Sequence, residues 1–230
     1  MDYRDLKNFG VPMNQTLREA ESTLGKLAKL QALAIVLKRL GISKMLKLPF
    51  SIRQERMGME GRDFSALRAK GLEDQYFINY FIERTAVFSA MTQLIGEENA
   101  AAIHEEIMDL VVPTAMASTL PTADQIKQFD DPIDVFQKYI VANMEANREA
   151  GLHEYRLISE PGVAIGFDIT YCAFAEIPKQ LGVPKAGIMN CYSDDVFLPN
   201  YLRPLGLRFV RTGTIARGNE VCDFRFERIE

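Results

Sequence analysis

The amino-acid sequence predicts an α+β protein, with a mostly helical N-terminal part over residues 1–150 and a small, mainly antiparallel sheet with a terminal hairpin over residues 151–230. Three observations predict this fold class. Apolar residues recur at helical spacing in the first part, apolar and polar residues alternate after Gly151, and a Gly-Asn pair separates the last two alternating runs. We expect one domain, because 230 residues are enough for one large core.

The first helix is predicted to begin at a capping-box pattern, in which Thr16 caps the helix and Glu19 reaches back to its start. Its apolar stripe consists of leucines at helical spacing: Leu30, Leu33, Leu37 and Leu40. Gly41 is a natural end for this helix. Residues 42–71 are predicted to be less regular, because proline and glycine interrupt them.

Three more helices are predicted before Gly151, over residues 73–95, 98–116 and 132–150. Gly96 is expected to end the first of them, and Pro113 to kink or end the second. The third has a proline at a favourable first position, directly after an aspartate that can cap it.

Residues 163–172 alternate in the manner of a β-strand. One face is predicted to meet the core: Val163, Ile165, Phe167, Ile169 and Tyr171. The other face is small and polar: Ala164, Gly166, Asp168, Thr170 and Cys172. That second face suits either a surface that a ligand approaches closely or a plain solvated sheet face.

A helix near residues 174–181 and an irregular or helical stretch are predicted to precede the terminal hairpin. The hairpin strands are expected over residues 207–216 and 220–229, joined by a type II′ turn at Gly218-Asn219.

In the predicted register of this hairpin, Ile215 faces Cys222 and Thr214 faces Asp223. Alternation sends Cys222 to an apolar face that it shares with two phenylalanines, and Asp223 to a polar face with Thr212.

Composition and motifs limit the function classes. The formal net charge of −4 argues against a nucleic-acid partner, and the N-terminus lacks the apolar run of a targeting segment, so we expect a cytoplasmic protein. HExxH, CxxC, P-loop and G-x-S-x-G patterns are absent from the sequence, and we predict no cofactor and no metal. The sequence leaves the oligomeric state open.

The three cysteines, Cys172, Cys191 and Cys222, all fall in the last third of the chain. An odd number argues against a disulfide framework. Together with His153 they suggest a Cys₃His zinc site as a weaker alternative, because separations of 19 and 31 residues lack the close pairs of structural zinc. Each cysteine is also compatible with ordinary core packing. The other histidine, His104, is expected on the flank of a helix rather than in a site.

Residues 26–56 are strongly basic. Eight basic residues and only Glu55 give this segment a net charge of +7, so the rest of the chain carries −11. A basic helix with an apolar stripe can lie on an anionic membrane. We favour the other interpretation, a helix whose leucines pack in the core and whose basic face is solvated.

The stretch that follows Cys191 places Asp194 and Asp195 within one helical turn of the thiol. These aspartates suit either a helix cap or a site that orients water and accepts a proton from an amidine-like substrate. Nearby carboxylates raise the pKa of a thiol, so a reactive Cys191 would need a cation beside it. The candidate cations are Arg203, Arg208 and Arg211.

Residues 170–226 resemble a known family. The resemblance lies in a strand ending in Tyr171-Cys172, in Cys191 followed by Asp194 and Asp195, and in the segment R-T-G-T-I-A-R-G-N-E-V-C-D-F-R-F. The pattern Thr-x-Thr-x-Ala-x-Gly-x-x-x-Cys-Asp-Phe within that segment is its most specific part. The family is that of the L-2-amino-thiazoline-4-carboxylic acid hydrolases.

The resemblance implies a hydrolase that opens a cyclic amidine, or a related C–N or C–S bond, in a small molecule. Attack on the ring carbon needs a nucleophile, and we rank Cys222 before Cys191 and Cys172, with direct attack by water as the alternative. Asp194 and Asp195 are the other candidate catalytic residues. The candidate substrate-binding residues are Cys172, Asp168, Thr170, Thr212, Thr214, Asp223 and Arg211. A rival interpretation is a small-molecule-binding or sensor domain without catalysis.

Overall fold

The computed structural model describes residues 2–229 and has the predicted α+β architecture, in which helices precede a four-stranded antiparallel sheet. The α-helices are α1 (Met13–Thr23), α2 (Lys26–Met59), α3 (Ser65–Arg68), α4 (Gln75–Ile95), α5 (Glu97–Ala117), α6 (Ala123–Ile126), α7 (Pro132–Glu149), α8 (Ala173–Gln180) and α9 (Pro184–Leu202). The strands are β1 (His153–Ile158), β2 (Val163–Cys172), β3 (Leu207–Val210) and β4 (Cys222–Arg228). Within these described residues, none of the helices combines the length and apolar character needed to cross a membrane.

The first helix begins earlier than predicted. Pro12, in extended conformation, directly precedes α1, so Thr16 lies inside the helix and its hydroxyl donates to the Met13 carbonyl. The capping-box prediction is therefore wrong. Proline at a helix start has a preset φ and no N–H to satisfy, which is sufficient to start the helix before Thr16. Glu19 instead pairs with Lys7.

The predicted first helix is two helices in the structure, because the chain is extended at Leu24 and Gly25, and α2 continues beyond the end predicted at Gly41. At Gly41 the backbone has a non-helical φ of 72° that interrupts α2, but the chain then stays helical to Met59, through the stretch predicted to be irregular. Leu40 and Leu48 pack in one buried cluster with residues of α4 and α5, such as Phe88. This tertiary packing outweighs the local preference for a break, as is common for helices in proteins.

The leucine stripe of α2 does not face the core. Leu30, Leu33 and Leu37 are exposed, and only Leu40 of the predicted stripe is buried. The adjacent face, which includes Ile35 and Val36, is the one that packs against the helices. The prediction of a core-packed stripe is therefore wrong.

The helices α4, α5 and α7 follow the predicted bounds within two residues. Asp74 caps α4, and Gly96 ends it with a φ of 83° that favours glycine. Pro113 lies inside α5 without ending it. Asp131 caps α7, whose first residue is proline.

The sheet has the strand order β1-β2-β4-β3, with every neighbouring pair antiparallel. Its apolar face packs on α7, where the ring of Phe136 stacks 6.1 Å from that of Phe226. The opposite face carries charged side chains, among them Asp168 and Arg225. The two faces predicted for residues 165–169 are confirmed. A β-bulge between Val163 and Ile165 reverses the alternation before Ile165, so Val163 pairs with Glu227 and Ala164 packs against the apolar cluster, and the faces predicted for these two residues are wrong.

A β-bulge in β2 changes the faces after Ile169. Tyr155 of β1 pairs with Ile169 and Glu154 pairs with Tyr171, so Thr170 has no partner in that register. One extra residue reverses the alternation that follows it. Cys172 therefore lies in the same buried cluster as Ile169, and the prediction that it shares a face with Asp168 is wrong.

The terminal hairpin is wider than predicted. Val210 pairs with Arg225, so the register differs by two residues from the prediction that Thr214 faces Asp223. The chain leaves the sheet after Val210, and a 3-10 turn at Ile215–Arg217 ends at Gly218, whose φ is 91°. The predicted type II′ turn is thus wrong.

Candidate active site

Arg211 is the central side chain of the candidate site. It lies directly after β3, and only 5% of its side chain is exposed. Nη1 donates to Asp194 Oδ2 at 2.7 Å, and Nη2 donates to Asp195 Oδ1 at 2.7 Å and to the Cys191 carbonyl at 3.0 Å. The guanidinium also lies 5.2 Å from the ring centre of Phe224. Arg211 is therefore the cation that the sequence required beside these two aspartates, whereas Arg208 pairs with Glu227.

Helix α9 carries the three residues that Arg211 contacts, Cys191, Asp194 and Asp195. Asp194 and Asp195 lie in the middle of α9, which begins at Pro184, so they do not cap a helix. Gly187 allows α9 to approach α8, because a Cβ added there would lie 3.3 Å from Ala175 Cα. Cys191 on α9 lies close enough to Cys172, at the end of β2, to raise the pKa of that thiol further than burial alone does.

The segment between Arg211 and Asp223 is a loop that is held together by hydrogen bonds between its own residues. The backbone N–H groups of Thr212 and Gly213, and the Thr212 hydroxyl, donate to the Asp223 carboxylate. The N–H of Thr214 donates to Asn219 Oδ1. Thr212, Thr214 and Asp223, predicted to bind substrate, are thus engaged in hydrogen bonds that fix the loop.

Gly213 is required by the close packing of this loop. A Cβ added at Gly213 would lie 2.9 Å from Asn219 Cγ, closer than side chains tolerate. The threonines and glycine of the family-like segment therefore have a structural explanation. They fold the loop so that Arg211 and Cys222, which are eleven residues apart, approach the same region of α9.

Cys222 lies at the start of β4, opposite Ile169, and is 4% exposed. Its sulfur accepts a hydrogen bond from the Ile215 N–H at 3.2 Å. Burial raises the pKa of Cys222, while the Ile215 N–H and the charge of Arg211 act in the opposite direction. As alternation predicted, Cys222 and Asp223 point to opposite faces of the sheet.

The other two thiols lie close enough to Cys222 to interact with it electrostatically. Burial raises the pKa of Cys172, and negative charge on Cys191 or Cys222 raises it further. Burial, followed by the neighbouring Asp194, raises the pKa of Cys191 to about 12, although Arg211 opposes this. All three thiols are therefore protonated near neutral pH, so a thiolate in this site would require a base.

Asp194 is suited to be that base. Burial raises the pKa of Asp194 to about 6, against the lowering effect of Arg211. A carboxylate with this pKa both accepts and returns protons near neutral pH, as general acid–base catalysis requires. In addition to burial, the negative charge of Asp194 raises the pKa of both Cys191 and Cys222.

Two predicted site residues lie away from this cluster. Asp168 is buried on the opposite face of the sheet, between Arg156 and Arg225, each with a nitrogen 2.9 Å from a carboxylate oxygen. Thr170, the bulged residue, is exposed and lines a cleft of about 490 Å³ with residues such as Lys70. The predicted substrate-binding residues therefore do not form one site.

The two histidines, buried His153 and half-buried His104, lie outside the cluster of thiols and aspartates. His153 stacks on Phe174 with 5.3 Å between ring centres, and burial lowers its pKa to about 4. His104 lies in α5 near Phe88, and burial lowers its pKa to about 3. Across residues 2–229, no group of three or more His, Cys, Asp or Glu side chains is arranged to hold a metal ion. The geometry thus gives the Cys₃His alternative no support.

The sequence missed two parts of this site. The Ile215 N–H donates a hydrogen bond to the Cys222 sulfur and belongs to a 3-10 turn. The sequence predicted a strand at this position. The contact between Gly213 and Asn219 was also missed. The short spacing of Thr, Gly and Asn in the segment was the available signal, because these residues favour loops that bind their own backbone.

Comparison with known proteins agrees with the resemblance. A sequence model of the L-2-amino-thiazoline-4-carboxylic acid hydrolase family matches residues 75–226, which is 152 of the 230 residues. The matched region includes α9, Arg211 and Cys222. No curated protein and no solved structure matches the chain significantly. Because the match covers about two thirds of the chain, the chain belongs to the L-2-amino-thiazoline-4-carboxylic acid hydrolase family.

Proposed function

We propose that this protein is a hydrolase that opens a cyclic amidine in a small molecule, with 2-aminothiazoline-4-carboxylate as the reference substrate. One observation carries the proposal. Arg211 holds Asp194, whose pKa is about 6, beside the half-buried thiol of Cys191 and the buried thiol of Cys222, within the region that matches the hydrolase family. Paired acid–base and nucleophilic groups in one buried cluster are typical of hydrolytic sites.

The first chemical step is attack on the ring carbon that lies between nitrogen and sulfur. Asp194 takes the proton of a cysteine thiol, and the thiolate adds to this carbon. The ring C–S bond then breaks, and the leaving sulfur takes the proton back from Asp194. The result is an isothiourea that joins the opened substrate to the enzyme.

The second step is hydrolysis of that intermediate. Asp194 removes a proton from a water molecule, whose oxygen adds to the same carbon. The bond between this carbon and the cysteine sulfur breaks, and the proton returns to that sulfur. The product is a carbamoyl amino acid with a free thiol, so one water molecule is consumed and the enzyme is regenerated.

Cys222 is the first candidate nucleophile. Arg211 favours and Asp194 opposes the thiolates of both Cys222 and Cys191, but Cys222 also accepts a hydrogen bond from the Ile215 N–H, which favours its thiolate. Among the described residues Cys191 has no such donor, and we rank it second. Cys172, whose neighbouring thiols further disfavour its ionisation, is third. Direct attack by water activated by Asp194 uses the same base and leaves all three thiols as packing groups.

The roles of the charged residues follow from their exposure. Both terminal nitrogens of Arg211 already donate to carboxylates, so Arg211 positions Asp194 and Asp195 rather than binding the substrate carboxylate. Asp195 is 41% exposed, which leaves an oxygen free to hold a protonated amidine.

A second candidate function is binding without turnover, as in a sensor domain. The raised pKa values of the three thiols favour it, because protonated thiols are poor nucleophiles. The test is to incubate the protein with excess 2-aminothiazoline-4-carboxylate and to follow the ligand by mass spectrometry. Many molecules of ring-opened product per protein support the hydrolase. Stoichiometric binding with unchanged ligand supports the sensor.

A further inference from the structure

Helix α2 presents large apolar side chains to solvent along most of its length. Before the kink at Gly41 these are Leu27, Leu30, Leu33 and Leu37, and after it they are Ile42, Leu46, Phe50 and Met57. Their exposed fractions range from 44% to 78%. A contiguous apolar surface of this kind marks an interaction site rather than ordinary surface variation. We call these eight residues the α2 stripe.

The α2 stripe lies on one side of each half of the helix. With 100° between successive residues, Ile42, Leu46, Phe50 and Met57 fall within an arc of about 80°. The face that carries Leu48 and Met59 is buried in the protein. The helix is thus held against the rest of the chain, and its apolar side points outward as a fixed surface.

Unpaired positive charges accompany the stripe. Six exposed basic residues of α2 have no carboxylate within 4.0 Å among the described residues: Lys26, Lys29, Lys38, Lys44, Lys47 and Arg53. By contrast, Arg39 of the same helix pairs with Glu106, and Arg56 pairs with Glu83. At 100° per residue, Arg53 falls within the arc of the stripe, whereas Lys47 lies about 60° and Lys44 about 120° outside it.

The stripe lies outside the part of the chain that matches the family, which begins at residue 75. The thiols and aspartates of the candidate site lie inside it. The α2 stripe is therefore not among the residues proposed above for the chemistry, and its exposure needs a separate explanation.

We propose that α2 docks the protein on an anionic lipid surface. Leucine, isoleucine and phenylalanine of the stripe enter the boundary between headgroups and acyl chains, and the unpaired cations other than Lys44 contact anionic headgroups. Because the opposite side of α2 is buried in the protein, the helix lies along the surface and does not enter the bilayer interior.

The positive charge of α2 favours an anionic lipid surface over a second copy of the chain as the partner of the α2 stripe. In a symmetric dimer the same patch meets itself, so the unpaired cations beside one stripe would face those beside the other. An anionic surface meets the same cations with opposite charge, and each contributes favourably near the membrane. The apolar stripe and its unpaired cations thus match one partner, a lipid surface of negative charge.

The test is co-sedimentation of the full-length protein with vesicles. We expect binding to phosphatidylcholine vesicles that contain about one-third phosphatidylserine, and at least about tenfold weaker binding to pure phosphatidylcholine. Raising the salt from about 0.05 M to about 0.5 M should weaken binding to the anionic vesicles, because salt screens charges at the surface.

Two variants and two controls locate the contact. Leu46→Gln with Phe50→Gln, and separately Lys47→Glu with Arg53→Glu, should each reduce the partition coefficient at least about tenfold. Leu157→Gln and Lys127→Glu, exposed changes outside α2, should bind as the wild type does. Circular dichroism of every variant establishes that it is folded.

Three results would overturn the proposal. One is a wild-type protein that stays in the supernatant with anionic vesicles at low salt. Another is binding that the α2 variants leave unchanged. The third is a concentration-dependent dimer in analytical ultracentrifugation that disappears in the Leu46→Gln, Phe50→Gln variant while vesicles bind nothing, which would assign the stripe to a second copy.

Discussion

Arg211 Nη1 lies 2.7 Å from Asp194 Oδ2, and this ion pair joins the end of β3 to the middle of α9. Two features position the pair. One is the internally hydrogen-bonded loop after Val210, and the other is the close packing of α9 on α8. The pair keeps a carboxylate with a pKa of about 6 next to the thiols of Cys191 and Cys222, whose own pKa values are raised. The stability and chemistry of the protein should therefore respond together to changes at this contact.

Removal of Arg211 should destabilise the protein strongly. In Arg211→Ala, the partly buried Asp194 and Asp195 lose their common cation, and we expect a loss of about 3 kcal/mol in the free energy of unfolding. The matched control is Arg208→Ala, whose guanidinium pairs with Glu227 at the exposed edge of the sheet and should cost less than about 1 kcal/mol. Urea unfolding followed by circular dichroism measures both. Equal losses in the two variants would contradict the buried role of Arg211.

Asp194 should make stability fall as pH rises. Its pKa in the folded protein is about 6, above its usual value of 3.8, so between these values the folded protein holds a proton that the unfolded chain has lost. The stabilisation is complete below pH 3.8 and is lost as pH rises through 6. Relative to Asp194→Asn, the wild type should lose about 2 kcal/mol between about pH 4 and pH 7.

Denaturant unfolding of both proteins across this pH range measures the difference. A difference that is independent of pH, or that increases with pH, would mean that Arg211 and not burial determines the pKa of Asp194.

Gly213 should not tolerate a side chain. Gly213→Ala places a Cβ 2.9 Å from Asn219 Cγ, and we expect a loss of about 1–3 kcal/mol in the free energy of unfolding as the loop moves. The control is Gly61→Ala, where an added Cβ meets no atom of the described residues within 4 Å and the change should stay within about 0.5 kcal/mol. Thermal and urea unfolding of the two variants compare them. A fully stable Gly213→Ala would show that the loop is not closely packed.

The native thiols should react slowly. All three pKa values are raised and two of the thiols are buried, so an aromatic disulfide reagent should modify the native protein slowly at neutral pH and faster as pH rises. In denaturant all three cysteines should react at once. A single thiol that reacts rapidly at about pH 6 in the native protein would instead mean a preformed thiolate and would remove the need for Asp194 as a base.

Alternation predicted the faces of the sheet because the side-chain period of a strand is two. The actual hairpin register differs from the predicted one by two residues, an even shift, so Cys222 still faces the core and Asp223 still faces away. The bulge at Thr170 inserts one residue, an odd shift, and moves Cys172 to the other face. Turn residues such as Gly218-Asn219 do not reveal this difference, because the same pair fits a hairpin and a 3-10 turn.

Periodicity likewise predicted that α2 has an apolar stripe but not what covers it. The leucine spacing gives one face of a helix, and a neighbouring face with Ile35 and Val36 packs on α4 and α5 instead. Which face is buried depends on contacts between residues far apart in sequence.

Charge alone predicted Arg211 as one of three candidate cations, because a reactive thiol near two adjacent aspartates needs a cation beside it. Its selection over Arg208 required the path of the loop.

The pH dependence of ring opening, measured for the wild type and for Asp194→Asn with 2-aminothiazoline-4-carboxylate, tests the central claim most directly. We predict a wild-type kcat/KM that rises through about pH 6 and then levels, as Asp194 loses its proton, and a kcat lower by about 10²-fold or more in Asp194→Asn. Asp195→Asn, which keeps one carboxylate on Arg211, should mainly raise KM. An Asp194→Asn protein with the wild-type rate, or a wild-type rate that keeps rising tenfold per pH unit above pH 7, would contradict the account.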